Sequence, residues 1–124
     1  MSNLQIACLT LYAAGMALGQ VLFKLAANGL NVVEAPTLAD RVGQILRLAL
    51  DPIFLLAIAL YMCLSVFWVW ILSFTQLSRA YPFGALAFVF TLLIAVFFFR
   101  ESVSRTHLLG LALILGGIAT IARA

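Results

Sequence analysis

The sequence predicts an all-α membrane protein of four transmembrane helices, with a short amphipathic interfacial helix between the first and second. Three observations carry this reading. Hydrophobic residues make up 66% of the chain and charged residues only 9%, at a mean hydropathy of +1.22, which is more apolar surface than a soluble domain of this size buries. Four apolar runs, at about 4–27, 53–74, 81–99 and 107–122, approach the roughly 20 residues that a helix needs to cross a hydrocarbon core. The connections leave no room for a soluble domain, so residues 1–124 are expected to form a single four-helix unit.

The first run lacks the basic start of a cleaved signal sequence, is too long for its apolar centre, and carries Gln20 and Lys24 towards its end. It is therefore expected to remain as helix one. Gly15 and Gly19 are four apart, a small-residue pair that lets another helix approach closely. Gln20 and Lys24 are also four apart, and Met16 and Ala13 continue the same stripe. Lys24 lies about 30 Å along the helix from Leu4. Two readings stand for it: a side chain snorkelling to the interface, or a cation in a binding cavity.

After Asn28 and Gly29 the chain leaves the membrane, and Glu34, Asp40 and Asp51 all fall in this first connection. Residues 37–50 read as the amphipathic helix, with Leu38, Val42, Ile45, Leu46 and Ala49 on one face and Asp40, Gln44 and Arg47 on the other. Thr37 is positioned to cap it, and its apolar face suits either the interface plane, the favoured reading, or a cover over the mouth of the bundle. Asp51 followed by Pro52 is an N-cap with proline at the first helical position, the start of helix two. Along that helix Tyr61, Ser65, Trp68 and Leu72 share a face. Trp70 fits the interfacial aromatic belt, whereas Tyr61 and Ser65 lie nearer the middle, where polar groups need partners and mark a lined cavity.

Ser78 through Gly84 reads as the turn joining helices two and three, with Pro82 in the first turn of the new helix. Arg79 is the only charged residue between Asp51 and Arg100. The stretch is either a plain helical hairpin or a functional joint built on Arg79 and Tyr81. Helix three is rich in phenylalanine, with Thr91 its one polar side chain near the centre. Phe97, Phe98 and Phe99 then give way to a charged hairpin containing Arg100, Glu101 and Arg105, read either as a solvated turn or as a site for lipid headgroups. Helix four carries Gly110, Ala112, Gly116, Gly117 and Thr120. This flank of small residues is a packing surface, and a subunit contact is the favoured use, because four helices, one of them short, enclose little room.

Several function classes have nothing to stand on. Cys8 and Cys63 lie inside spans with no metal-binding or disulfide spacing, so no metal and no cofactor is expected. The formal charge of +3 sits at helix ends, where it meets membrane lipids rather than nucleic acid. No hydrolase, nucleotide-binding or metalloprotease motif is present, so the chain is not read as an enzyme. No carboxylate lies well inside a span, and His107 stands only at the start of helix four, so the usual device of proton-coupled transport is missing.

The pair Gly19 and Gln20 with Lys24, the run Ala80, Tyr81, Pro82, and the run from Arg100 to His107 before a helix with Gly110, Gly116 and Gly117 resemble the drug/metabolite transporter superfamily. Within it the chain is most similar to the small EamA-like subunits of the aminoarabinose undecaprenyl-phosphate flippase, in which an Ala-Tyr-Pro turn and a Glu-x-Val-Ser-x-x-His hairpin recur. The resemblance covers nearly the whole chain. It implies a multi-pass transporter of the bacterial inner membrane that moves a polyprenyl-phosphate-linked sugar or similar amphiphile as a homodimer, or as a heterodimer with a similar small subunit. The related small multidrug resistance family carries an essential glutamate in helix one. Aligned on Lys24, this chain has Met16 there, which counts against export of cationic drugs, although Tyr81 matches that family's substrate-contacting tyrosine. An accessory subunit in a heterodimeric transporter is the remaining alternative.

An anionic headgroup crossing the membrane needs interfacial cations and a polar path between them. Lys24, Arg79, Arg100 and Arg105 are the candidates to meet a phosphate at the two ends. Gln20, Tyr61, Ser65, Trp68 and Tyr81 are the candidates to line the middle, and Glu101 adds a carboxylate at the hairpin. The distribution of lysine and arginine places the first and third connections in the cytoplasm and both termini outside.

Overall fold

The computed structural model describes residues 1–30 and 36–124; Glu34 lies outside them. Within these residues the chain forms α1 (Asn3–Asn28), α2 (Leu38–Leu48), α3 (Pro52–Leu72), α4 (Leu77–Phe83), α5 (Leu86–Phe97) and α6 (Arg105–Arg123). Four stretches are long and apolar enough to cross a membrane: α1, α3, α4 with α5 taken together, and α6. The protein is a multi-pass membrane protein. The 21 residues of α3 span about 31 Å at 1.5 Å each, close to the ~30 Å hydrocarbon core. Large apolar side chains such as Leu11, Val66, Val69 and Leu113 point outward, as lipid-facing positions do.

Local chemistry sets most of the helix ends. Ser2 and Gln5 form a reciprocal capping box at the start of α1, and the Gln5 amide nitrogen also donates to the Phe74 carbonyl at 2.8 Å. That bond ties the N-terminal end of α1 to the end of α3. Thr37 caps α2 by accepting from the Asp40 amide. Asp51 caps α3 by accepting from the amides of Ile53 and Phe54, with Pro52 at the first helical position, as its sequence requires. In α2 the apolar Leu38, Val42, Ile45 and Leu46 are all exposed, while Gln44, Arg47 and Leu48 face the end of α1 across a small cavity lined also by Ala26, Gly29, Leu30 and Asp51.

Helix α1 is the hub, packing on α3 along one side and on α5 along another, while α6 touches chiefly α4 and α5. The close α1–α3 seam depends on two glycines. A Cβ on Gly19 would lie 2.5 Å from the Tyr61 ring, and one on Gly15 would lie 2.7 Å from a Leu64 methyl. Ala13, Ala17 and Ala57 are fully buried. The core of Leu9, Ile71, Ala80, Phe83 and Ile118 gathers at the end of the bundle where α1 begins and α3 finishes.

The third span departs from the sequence reading. Its first residue is Leu77, and Ser78–Phe83 are helical rather than a turn; the connection from α3 is the stretch 73–76. The amides of Arg79 and Ala80 bond the Gln76 carbonyl at 3.0 and 2.9 Å, and Ala80 and Phe83, three apart, are buried. Ser78 and Arg79 are tolerated there because the first amides of a helix have no intrahelical partner to lose. Pro82 therefore stands inside α4, where it has no N–H for the Ser78 carbonyl. The ladder gives way just beyond it to three-residue bonds: Gly84 to Tyr81, Ala85 to Pro82, Ala87 to Gly84 and Phe88 to Ala85, all at 3.0 Å. The other ends differ by less, with α3 stopping at Leu72 and α5 at Phe97.

The glycine seam yields a test. Gly19→Ala is expected to destabilise the protein by about 1–3 kcal/mol through overpacking against Tyr61. Gly43→Ala, in open space on α2, is expected to be neutral or to stabilise by roughly 0.5–1 kcal/mol. Thermal unfolding of the two variants in one detergent separates the outcomes.

Candidate functional site

Three clefts run along α5 and share residues. One end, near the core, holds a cleft of about 410 Å³ lined by Tyr12, Met16, Trp68, Tyr81, Pro82, Gly84, Ala85 and Phe88. Tyr12 and Trp68 stand with ring centroids 4.8 Å apart, forming one aromatic wall, and Tyr81 is well exposed. Phe88 belongs also to a second cleft of about 460 Å³ between α5 and α6, which contains Thr91, Ala95, Glu101, His107 and Gly110. Both volumes fall in the ~300–1,000 Å³ range of small-molecule pockets. A third, smaller cavity of about 210 Å³ between α1 and α5 is lined by Gln20, Val21, Lys24, Thr91, Ile94, Ala95, Phe99 and Glu101. Glu101, Thr91 and Ala95 border both of the last two.

The two ends differ in chemistry. Near the chain termini the groove is aromatic. At the far end, where α1 stops and the chain turns from α5 into α6, it is charged, with Lys24 on α1 and Glu101 in the turn after α5. Lys24 lies about 32 Å along α1 from Asn3, at interfacial depth, and is exposed.

The turn after α5 is built to carry Glu101. Arg100 has φ 55° and is the one non-glycine residue with positive φ among those described. This left-handed conformation lets the Glu101 amide turn back to the Ala95 carbonyl at 3.0 Å, satisfying an acceptor that the helix end would otherwise leave open. Ser104 then caps α6 by accepting from the His107 amide at 3.1 Å.

Tyr61 and Gln20 are brought together as a fastener between α1 and α3. The Gln20 amide nitrogen donates to the Tyr61 hydroxyl at 3.0 Å, the hydroxyl donates to the Met16 carbonyl at 3.2 Å, and the ring stacks on Phe23 with centroids 5.1 Å apart. Ser65 donates to the Tyr61 carbonyl on its own helix at 2.8 Å. Tyr61 thus serves the α1–α3 seam, Ser65 is exposed on α3, and neither lines any of the three clefts. Trp68 and Tyr81 line the aromatic end; Gln20, Lys24 and Glu101 line the charged end. Arg79 is half-buried in α4, and Arg100 and Arg105 are exposed beside the charged end without lining it. Gly15 and Gly19 pack within the chain, whereas a Cβ on Gly110, Gly116 or Gly117 would meet nothing within 4 Å, and Ala112 is exposed on the same helix. Sequence reasoning passed over Tyr12 and Phe88 as lining residues; both are aromatic residues in apolar runs, with no local signal to set them apart. Thr91 carried a signal as the lone polar residue of its helix.

A family described as "Putative transmembrane family 234" matches residues 12–122. The chain belongs to this family. A protein of Pseudomonas paraeruginosa, named probable 4-amino-4-deoxy-L-arabinose-phosphoundecaprenol flippase subunit ArnE, is 39% identical over 106 residues, covering 86% of each chain. A Pseudomonas aeruginosa protein of the same name is 38% identical over 107 residues, again 86% of each. One from Pseudomonas fluorescens is 43% identical over 56 residues, 45% of this chain and 49% of that protein. No solved structure matches the chain. The relatives bear out the resemblance to small flippase subunits drawn from the glycine, tyrosine-proline and hairpin motifs.

The fastener yields a second test. Tyr61→Phe is expected to cost about 1–3 kcal/mol by removing both hydrogen bonds of the hydroxyl. A double-mutant cycle with Gln20→Ala should show a coupling of roughly 0.5–1.5 kcal/mol, read from unfolding in detergent.

Proposed function

We propose that this protein is a subunit of a bacterial inner-membrane flippase that moves a polyprenyl-phosphate-linked sugar between leaflets, and that it works as a transporter without covalent chemistry. The observation that carries the proposal is the groove along α5, charged at one interface and aromatic at the other. A lipid-linked sugar has an anionic headgroup that must leave water and a tail that stays in lipid. Lys24 meets the phosphate at the charged end, with Arg100 and Arg105 beside it. Trp68, Tyr81 and Tyr12 offer ring faces to the sugar at the other end, with Arg79 on the neighbouring turn. The α5–α6 cleft is bounded by two helices and the turn between them, so its open side suits a tail that remains in the bilayer.

Two features support an assembly of two small subunits. The flank of Ala112, Gly116 and Gly117 is unused within the chain, and small residues are what membrane helix contacts use. The relatives are themselves named subunits. Flipping is facilitated or driven by the membrane potential, since the spans carry no buried carboxylate for proton coupling. The positive-inside pattern places the Lys24 and Glu101 end in the cytoplasm.

Proteoliposomes carrying the full chain, with any small subunit that co-purifies, are expected to move a labelled polyprenyl-phosphate sugar between leaflets. Lys24→Gln and Tyr81→Ala should each lower the rate roughly tenfold or more, the scale of a lost charged hydrogen bond or ring contact, with unchanged melting temperature. Absence of lipid movement together with exchange of protons for a quaternary ammonium compound would overturn the reading in favour of a multidrug-type exporter.

A further inference from the structure

Serine and threonine inside a membrane helix commonly satisfy their hydroxyls on the carbonyl one turn back. Thr10, Ser65 and Thr120 do so, donating to the carbonyls of Ile6, Tyr61 and Gly116 at 2.8 Å each. Thr91 does not: among the described residues its hydroxyl has no hydrogen-bond partner. Ser78 and Thr106 lack such a bond too, but they stand exposed in the first turns of their helices. Thr91 is half-buried within the span Leu77–Phe97, about 9 Å before its end. A polar group at that depth is unfavourable without a partner, so the place for one is in whatever occupies the space beside it.

That space is where the clefts meet. Thr91 lines the α5–α6 cleft together with Glu101 and His107, and the α1–α5 cavity together with Gln20 and Lys24. Phe88, three residues earlier on the same face of α5, joins the α5–α6 cleft to the aromatic one. Ala95, one turn later, brings only a methyl group to the two clefts that Thr91 borders. A headgroup that travels between the charged and aromatic ends therefore passes the Thr91 hydroxyl. We infer that Thr91 is the contact within the membrane for the phosphate of the translocated lipid, its hydroxyl donating to an anionic oxygen. A neutral donor suits that depth. It is less costly to hold in hydrocarbon than a lysine or arginine, and it grips the anion loosely enough to let it go, as passage between sites requires.

The role of Thr91 rests on the flippase reading, and one preparation tests both. Proteoliposomes of the full chain, with any subunit that co-purifies, are given a labelled polyprenyl-phosphate sugar. T91V, which keeps the shape and removes the hydroxyl, should slow its movement roughly tenfold, the scale of a hydrogen bond to a charged group. T91S, which keeps the hydroxyl, should stay within about twofold of the wild type. The melting temperature of T91V should be unchanged or raised, because a hydroxyl without a partner in the fold adds nothing to its stability. T10V loses the bond to Ile6 away from the three clefts and should move lipid at the wild-type rate. A wild-type rate in T91V, equal slowing in T91V and T91S, or as much slowing in T10V, overturns the contact and leaves the flippase reading standing. So does a slower T91V whose melting temperature falls with its rate, since that marks a hydroxyl needed by the fold. If the wild type moves no lipid, both fall.

Discussion

The close approach of α1 and α3 at Gly15 and Gly19 is the constraint on which the rest of the bundle depends. Within a bilayer the tails are as apolar as leucine, so helices are held by shape and by hydrogen bonds rather than by escape from water. The two glycines supply the shape, admitting Leu64 and the Tyr61 ring to the α1 backbone. The hydroxyl of that same tyrosine supplies the bonds, reaching the Met16 carbonyl and the Gln20 amide. Once α3 is seated on that face, α5 takes another side of α1, and the third span can run past Lys24 and present Glu101 to it.

The bundle is consequently uneven. Its buried core, from Leu9 to Ile118, lies at the end where Gln5 is bonded to the Phe74 carbonyl. The opposite end contains the charged cavities. Helix α6 follows the same gradient: Ile118 is buried, whereas its early turns border the α5–α6 cleft through His107, Gly110 and Leu111. The aromatic cleft thus adjoins the buried core, through Tyr12, Trp68 and Ala85, while the charged cavity lies at the other end.

Much of this was legible in the sequence because the determinants are local. Span length follows from runs of apolar residues, and the caps at Thr37 and Asp51 follow from side chains two or three positions from the amides they accept. The third span was misplaced because Ser78, Arg79 and Pro82 look like a turn one residue at a time. Only the burial of Ala80 and Phe83 against other helices makes their stretch helical. Tyr61 was read as lining a cavity because a polar group in mid-membrane must find a partner. That partner was the backbone of α1, opposite a glycine, and nothing near Tyr61 in the sequence says so. Lys24 and Glu101 were each visible as charges at helix ends. Their presence in one cavity is a property of how α1 and α5 pack, and the left-handed Arg100 carries no sequence mark, since arginine is not a residue that favours it.

The interruption at Pro82 and Gly84 has a consequence for the aromatic cleft. Over that stretch the cleft is lined by the Pro82 ring and by Gly84, which brings no side chain into it. The carbonyls of Tyr81, Pro82, Gly84 and Ala85 are each taken by a three-residue bond, so the interruption shapes the cleft without leaving those acceptors open in it.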